Sequence, residues 1–285
     1  MLVYGLRNTV PKTADELDCP PHVKRFLENA LKDGFPHLLL YGPPGTGKTT
    51  FASILKPTLE LNASDDRGID IIRNKIKKVA NTVAPQVILL DECENLTKDS
   101  QTCLRRILED FPNTRFIFCT NYYSRIIDPL KSRLLKIKFT LKESRALERI
   151  GKSEGMDHDP SFYKDLFRKC NGDLRKCLNI LQGIKPLATF DIEDLIGRAK
   201  DEVVDGFMKI TDKNYEAFID SFIFEGYSAL QLIHQLNERI FEIKENDKQR
   251  CEFVKILAEC ESKCLIGCSE DVVLNFLCLN YILIN

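Results

Sequence analysis

The sequence predicts an α/β fold: a mostly parallel β-sheet with helices on its faces, followed by segments that are entirely helical. Short apolar runs rich in β-branched or aromatic residues alternate with helical patterns over the first 140 residues. These runs stop after Phe139, and the rest of the chain shows only helical periodicity. Strands that alternate with helices are typical of parallel sheets covered on both faces.

Length and composition set the limits of this prediction. The chain has 285 residues, of which 44% are hydrophobic and 29% are charged, which is typical of folded globular proteins. Its longest apolar stretch, 276–284, is about half of the roughly 20 residues that a membrane span needs, so we expect no membrane segment. From the residues of the N-terminus we expect no export signal. Eleven cysteines without any C-x-x-C pair indicate free thiols in a reducing compartment.

Five apolar runs account for the predicted sheet. They are residues 37–41, 58–62, 86–90, 115–119 and 135–139. Helical patterns with glycine breaks follow, and the last 88 residues read as further helices with apolar stripes. We therefore expect three domains, which are a sheet domain at 1–141, a helical domain at 142–197 and a second helical domain at 198–285.

Charge is unevenly distributed between these parts. Residues 1–197 carry 31 Lys and Arg against 26 Asp and Glu, a net charge of +5, whereas residues 198–285 carry 10 against 16, a net charge of −6. A polyanionic partner is therefore expected to bind the first part of the chain.

A glycine-rich turn follows the first predicted strand and leads into a helix. It reads G-x-x-x-x-G-K-T, the pattern of a phosphate-binding loop whose backbone amides surround phosphate oxygens. Lys48 is expected to reach the β- and γ-phosphates, and the Thr49 hydroxyl is expected to hold Mg²⁺. The predicted nucleotide-binding residues here are Gly42, Pro43, Pro44, Gly45, Thr46, Gly47, Lys48, Thr49 and Thr50.

Two carboxylates, Asp91 and Glu92, follow the third predicted strand. In a parallel sheet they would lie at the carboxyl edge, where α/β proteins bind ligands. Asp91 is expected to orient Mg²⁺, and Glu92 to polarise the water that attacks the γ-phosphate. A glutamate beside the metal ligand favours water over a bound acceptor, so we predict ATP hydrolysis.

Several blocks of this sequence closely resemble the AAA+ small subunits of replication factor C, the sliding-clamp loader. The blocks are HLLLYGPPGTGKTT, LELNASDDRGIDIIRNKIKK, VILLDECENLT, TRFIFCTNYYSRIIDPLKSRLLKIKF and NGDLRKCLNILQ. The resemblance covers roughly residues 11–190, and residues 198–285 match the family's oligomerising collar only in length and helical character. It implies an AAA+ domain, a helical lid and an all-α collar.

The resemblance also implies further site residues. Asn121 matches sensor 1, which helps to position the attacking water, and Arg175 matches sensor 2, which contacts ATP from the lid. Arg133 matches the arginine that reaches the ATP of the adjacent subunit, where a guanidinium neutralises charge developing on the phosphoryl group. A chain with its own ATP site and such an arginine is expected to have neighbours on both sides.

Residues 67–78 carry five basic side chains and one acidic one, and Arg73 and Lys77 lie four positions apart on one helix face. The residues alone favour a merely solvated basic face, which is the usual explanation of such runs. In the family, the matching helix faces duplex phosphates, and Arg105 and Arg106 are weaker candidates of the same kind.

The resemblance implies an ATPase subunit of a hetero-pentameric clamp loader, which acts with other clamp-loader subunits, opens a ring-shaped sliding clamp and places it on primer–template DNA in the nucleus. Two alternatives remain open at this point. One is another AAA+ DNA motor, such as a branch-migration helicase or a helicase loader. The other is a scaffold subunit that binds nucleotide without turnover.

Overall fold

The computed structural model describes residues 11–64, 69–80, 84–141, 145–156, 158–186, 192–243 and 246–284, and it gives only the backbone at 69–74 and 242–243. The chain divides into two compact units, Met1–Pro186 and Leu187–Asn285. The helical segment at 145–186 therefore packs within the first unit. The three-domain division at 141 and 197 remains a prediction.

The first unit contains a five-stranded sheet. Its strands are β1 (Leu38–Tyr41), β2 (Leu59–Asn62), β3 (Gln86–Asp91), β4 (Thr114–Thr120) and β5 (Leu135–Lys138). All four pairings are parallel, in the order β2-β3-β4-β1-β5. Each predicted apolar run forms one strand, so the predicted fold class is confirmed.

Eight described helices accompany this sheet. They are α1 (Pro21–Asp33), α2 (Lys48–Ile54), α3 (Ile69–Ala80), α4 (Lys98–Asp110), α5 (Asp128–Lys131), α6 (Arg145–Ser153), α7 (Pro160–Lys169) and α8 (Leu174–Ile184). Short 3₁₀ turns follow β3 at Cys93–Asn95 and β4 at Tyr123–Arg125.

Both faces of the sheet are covered. Successive residues of a strand point to opposite faces, and in β1 Leu39 packs in one buried cluster while Leu38 and Leu40 pack in another. One cluster includes Ile107 of α4, and the other includes Phe51 of α2. Because both faces of the sheet are covered, only the ends of the strands are accessible to ligands.

The second unit is helical in its described residues. Its helices are α9 (Ile192–Ile196), α10 (Asp201–Met208), α11 (Tyr215–Phe224), α12 (Ala229–Glu238), α13 (Ile240–Ile243), α14 (Asp247–Ile266) and α15 (Glu270–Ile284). Helices α10 to α15 share one core, which contains Ile233 and Leu236 of α12 and Phe253, Leu257 and Cys260 of α14. The last helix is buried on one face only, since Leu277 is fully buried while Leu283 is 83% exposed.

No helix among the described residues is both long and apolar enough to cross a membrane.

Candidate nucleotide site

The carboxyl edge of the sheet brings together the residues predicted to bind nucleotide. Tyr41, which precedes the phosphate loop, pairs with Thr120, which precedes Asn121. The adjacent strand β3 ends at Asp91. Because parallel neighbouring strands end at the same edge, the phosphate loop, Asp91 and Glu92 at the end of β3, and Asn121 lie side by side.

The phosphate loop has the backbone conformation that its glycines permit. Gly47 has a φ of 91° and immediately precedes α2, which begins at Lys48. A methyl group added at Gly42 would overlap the carbonyl of Phe139, so glycine is needed there for the close approach of two backbones. The start of α2 directs its unpaired amides, and the positive end of its dipole, toward the loop.

Lys48 lies inside this loop with only 7% of its surface exposed. Its ammonium donates hydrogen bonds to the carbonyls of Gly42 at 2.9 Å and Pro43 at 2.7 Å. Burial lowers the pKa of Lys48, and the positive charge of Arg175 lowers it further, although nearby acidic groups oppose this. The contact of Arg175 with nucleotide remains a prediction.

Thr49 and Asp91 fit a magnesium site. The Thr49 hydroxyl donates to Asp91 Oδ2 at 2.9 Å, and Asp91 Oδ1 accepts from the Glu92 amide at 2.9 Å. A hydroxyl and a carboxylate are oxygen ligands of the kind that Mg²⁺ prefers, with water and phosphate oxygens completing an octahedron. These two residues would hold the ion, which supplies charge neutralisation on the β- and γ-phosphates when bound.

Glu92 has an unusual backbone conformation for a residue that is not glycine. Its φ of 53° and ψ of 40° lie in the left-handed region, and its Oε2 accepts from Asn95 Nδ2 at 3.3 Å. Strained residues persist where the surrounding structure holds them, and they concentrate at functional sites. This observation supports the predicted role of Glu92, which remains a prediction.

Asn121 contacts Glu94, a residue that sequence reasoning missed. Its side-chain amide donates to Glu94 Oε1 at 3.0 Å, and its backbone amide donates to the same atom at 3.2 Å. The other oxygen, Oε2, is buried without a hydrogen-bond partner among the described residues. The signal in the sequence was the second glutamate two positions after Glu92, in Asp-Glu-Cys-Glu.

Arg133 lies at the opposite edge of the sheet from the phosphate loop. It precedes β5, whose first residue Leu135 pairs with Leu38, the first residue of β1. The phosphate loop follows the other end of β1, about 13 Å further along a four-residue strand. Arg133 Nε and Nη2 contact Glu109 Oε1 at 2.9 and 2.8 Å, and Nη1 donates to the Pro129 carbonyl at 2.8 Å.

The basic residues predicted to bind DNA are only partly described. The side chain of Arg73 lies outside the described residues, whereas Lys77 is half-buried on the same helix, α3. Lys77 and Arg106 line one pocket between α3 and α4, together with Asp99 and Asp110. The two acidic groups offset the positive charge of this pocket, so DNA binding remains a prediction.

Two family models match the chain. The ATPase family associated with various cellular activities (AAA) matches residues 38–141, and the replication factor C C-terminal domain matches residues 159–280. Replication factor C small subunit 1 of Pyrobaculum islandicum is 33% identical over 93% of this chain and 90% of its own length. The replication factor C small subunit of Sulfolobus acidocaldarius is 34% identical over 93% of this chain and 91% of its own length.

The chain belongs to the replication factor C small-subunit family. The resemblance seen in the sequence is thus confirmed. The predicted function, that of an ATPase subunit of a clamp loader in DNA replication, is confirmed with it. The match at 159–280 extends this relationship into the second unit, which the sequence alone related to the family only in length and helical character.

Solved structures agree with the fold. The RuvB Holliday junction branch migration motor of Thermotoga maritima superposes with a TM-score of 0.52 at 18% identity, covering 80% of this chain and 85% of that one. A DNA polymerase III gamma subunit-related protein from the same organism gives a TM-score of 0.51 at 16% identity, covering 92% of this chain and 99% of that one. At such identities these likenesses establish the fold alone.

The predicted nuclear localisation is wrong. The replication factor C relatives described above come from Pyrobaculum and Sulfolobus, which are archaea. Archaeal cells have no nucleus, so a family resemblance does not carry a nuclear location with it.

Proposed function

We propose that this subunit hydrolyses ATP as part of an oligomeric clamp loader, at a site completed by Arg133 of another subunit. The observation that carries the proposal is the position of Arg133. It lies at the amino edge of the sheet, whereas the chain's own phosphate loop lies at the carboxyl edge. An arginine placed there serves a nucleotide bound by a neighbour.

Within one chain, the proposed roles are divided among four groups of residues. The phosphate loop and Lys48 bind the triphosphate, while Thr49 and Asp91 hold Mg²⁺. Glu92 orients the attacking water, and Asn121, held by Glu94, assists it. Arg175 contacts the phosphates from α8, so that nucleotide occupancy affects the position of the lid.

The oligomer is proposed to be a hetero-pentamer that opens a ring-shaped clamp and loads it on primer–template DNA. Lys77 and Arg73 on α3 would contact DNA phosphates, which contribute affinity without sequence specificity. Exposed apolar residues in the second unit, such as Ile266 at 81% exposure, support contacts with neighbouring subunits there.

ATP turnover by the reconstituted assembly tests this function. We expect clamp and primed DNA together to stimulate turnover. We expect Arg133→Ala to reduce hydrolysis by about a thousandfold or more at the ATP site of the adjacent subunit. The same substitution should leave nucleotide binding by the mutated chain itself intact. Lys136→Ala, which removes an exposed cation three residues further along, is the matched control.

Each alternative predicts a different result. Another AAA+ DNA motor would hydrolyse ATP with DNA alone and gain nothing from the clamp. A nucleotide-binding scaffold would show no turnover at this site in a single-turnover measurement on the assembled complex. The likeness to RuvB does not favour the motor, because it reflects the shared fold.

A further inference from the structure

The turn between α7 and α8 carries the chain to the phosphate loop. Asn171 and Gly172 have φ values of 54° and 78°, so the backbone reverses sharply there. Their amides donate to the carbonyls of Arg168 and Phe167 at 2.9 and 3.0 Å, which closes the end of α7. Asp173 is thereby delivered to the position that immediately precedes α8.

The first three amides of α8 donate hydrogen bonds to two different residues. A helix leaves its first amides without partners of its own. Asp173 Oδ1 accepts from the amides of Arg175 at 2.9 Å and Lys176 at 3.1 Å. The amide of Leu174, the first helical residue, donates instead to the carbonyl of Gly45 in the phosphate loop, at 3.2 Å. The start of α8 is therefore hydrogen-bonded to the loop itself.

This bond constrains the direction of the next amide in the loop. A trans peptide is planar, so the carbonyl of Gly45 and the amide of Thr46 point in opposite directions. With the carbonyl directed at α8, the Thr46 amide points away from α8. The Thr46 side chain is also held, since it is 3% exposed and its hydroxyl donates to the Pro43 carbonyl at 2.9 Å.

Gly45 and Asp173 are in direct contact. A methyl group added at Gly45 would overlap the Asp173 carboxylate and would lie 3.0 Å from the Asp173 Cα. Gly45 also has a φ of 68°, which side chains disfavour. Glycine at this position therefore allows the backbone conformation and also allows α8 to sit against the loop.

We propose that the Leu174 amide and Asp173 are positioning groups of the nucleotide site: they hold the Gly45–Thr46 peptide with its amide available to phosphate. The proposal rests on the ATP site proposed above. It gives α8 two functions, since the same helix also bears Arg175. Binding of nucleotide to the Thr46 amide then affects the position of Arg175, because one peptide and one hydrogen bond connect the two.

Leu174→Pro tests the hydrogen bond with little damage to the helix. Proline is tolerated at the first helical position, where its ring carbon replaces the amide hydrogen and so both removes the bond and pushes the Gly45 carbonyl away. Asp173, with φ −83° and ψ 99°, is already extended, as a residue before proline must be. Leu174→Ala removes the same side chain but keeps the amide, so the difference between the two variants measures what holding the Gly45 carbonyl contributes.

The measurement is the Kd of the full chain for ADP and for a slowly hydrolysed ATP analogue, by calorimetry, together with Tm. We expect the proline variant to bind about fivefold more weakly than the alanine variant. A role confined to helix stability would change Tm and leave the two Kd values equal. Equal Kd values would overturn the proposal.

A double-mutant cycle gives a second test if the proline variant does not fold. Asp173→Gly removes the carboxylate while glycine still serves as a helix cap. We expect Gly45→Ala to weaken binding several-fold more in the natural background than beside Asp173→Gly, because the overlap is relieved. Additive effects would contradict the contact. Failure of the unmodified chain to bind either nucleotide would instead refute the ATP site itself.

Discussion

At the scale of single residues, Glu94 is the least expected member of the site. It accepts two hydrogen bonds from Asn121 at one oxygen, while its other oxygen is buried. The side-chain amide of Asn121 is uncharged and would rotate without a partner. A fixed acceptor is therefore needed to direct it toward a water molecule. We infer that Glu94 acts on hydrolysis through Asn121 rather than on nucleotide binding.

Glu94→Ala is therefore expected to lower single-turnover hydrolysis in the assembly by about tenfold, the effect of losing a hydrogen bond to a charged group. Glu94→Gln, whose amide oxygen still accepts, should recover much of that loss. Glu92→Gln provides the reference, with nucleotide binding kept and hydrolysis slowed further. If Glu94→Ala weakened ADP binding as strongly as it slowed hydrolysis, the positioning role would be wrong.

At the scale of elements, Gln101 of α4 joins two turns that follow neighbouring strands. It is 1% exposed, and its Nε2 donates to the carbonyls of Leu96 and Arg125, both at 3.2 Å. Its Oε1 accepts from the Ile127 amide at 2.8 Å. One buried side chain thus holds together the segment after β3 and the segment after β4, which carry the catalytic candidates.

We expect Gln101→Leu to destabilise the chain by about 3 kcal/mol, since one buried and two part-buried backbone groups lose their partner. Urea unfolding should show a lower midpoint with an unchanged slope. Thr102→Ala, an exposed change on the same helix, should have an effect below about 0.5 kcal/mol. Equal midpoints for Gln101→Leu and the natural chain would show that the turns are held by other contacts.

At the scale of the whole molecule, the second unit leaves large apolar side chains exposed although its core is complete. Phe224, Leu265 and Ile266 are 92%, 74% and 81% exposed. Isolated exposed apolar residues are common. Leu265 and Ile266, however, are adjacent at the end of α14, and exposed apolar patches are typical of contacts between subunits. They agree with the proposed oligomeric assembly.

Replacement of both Leu265 and Ile266 by Asp should weaken assembly with the other clamp-loader subunits by at least about tenfold, since charges would be buried without partners. Tm of the isolated chain should change little, because both side chains are exposed. Ser262→Asp adds charge at an exposed polar position of the same helix and is the control. Size-exclusion chromatography with light scattering measures the result, and unaltered assembly would place the contacts elsewhere.

The amino-acid sequence by itself determined the five strands, the phosphate loop and the carboxylates at the end of β3, because hydrophobic period and glycine spacing are properties of consecutive residues. It could not place Glu94 on Asn121, Gln101 between two turns, or Leu174 on Gly45. The bonds from Glu94 to Asn121, from Gln101 to Ile127 and from Leu174 to Gly45 join residues 27, 26 and 129 positions apart, and only the pairing of parallel strands and the packing of α8 bring them together. The tertiary structure also separated Arg133 from its own phosphate loop, since strand register decides which edge of the sheet a residue reaches.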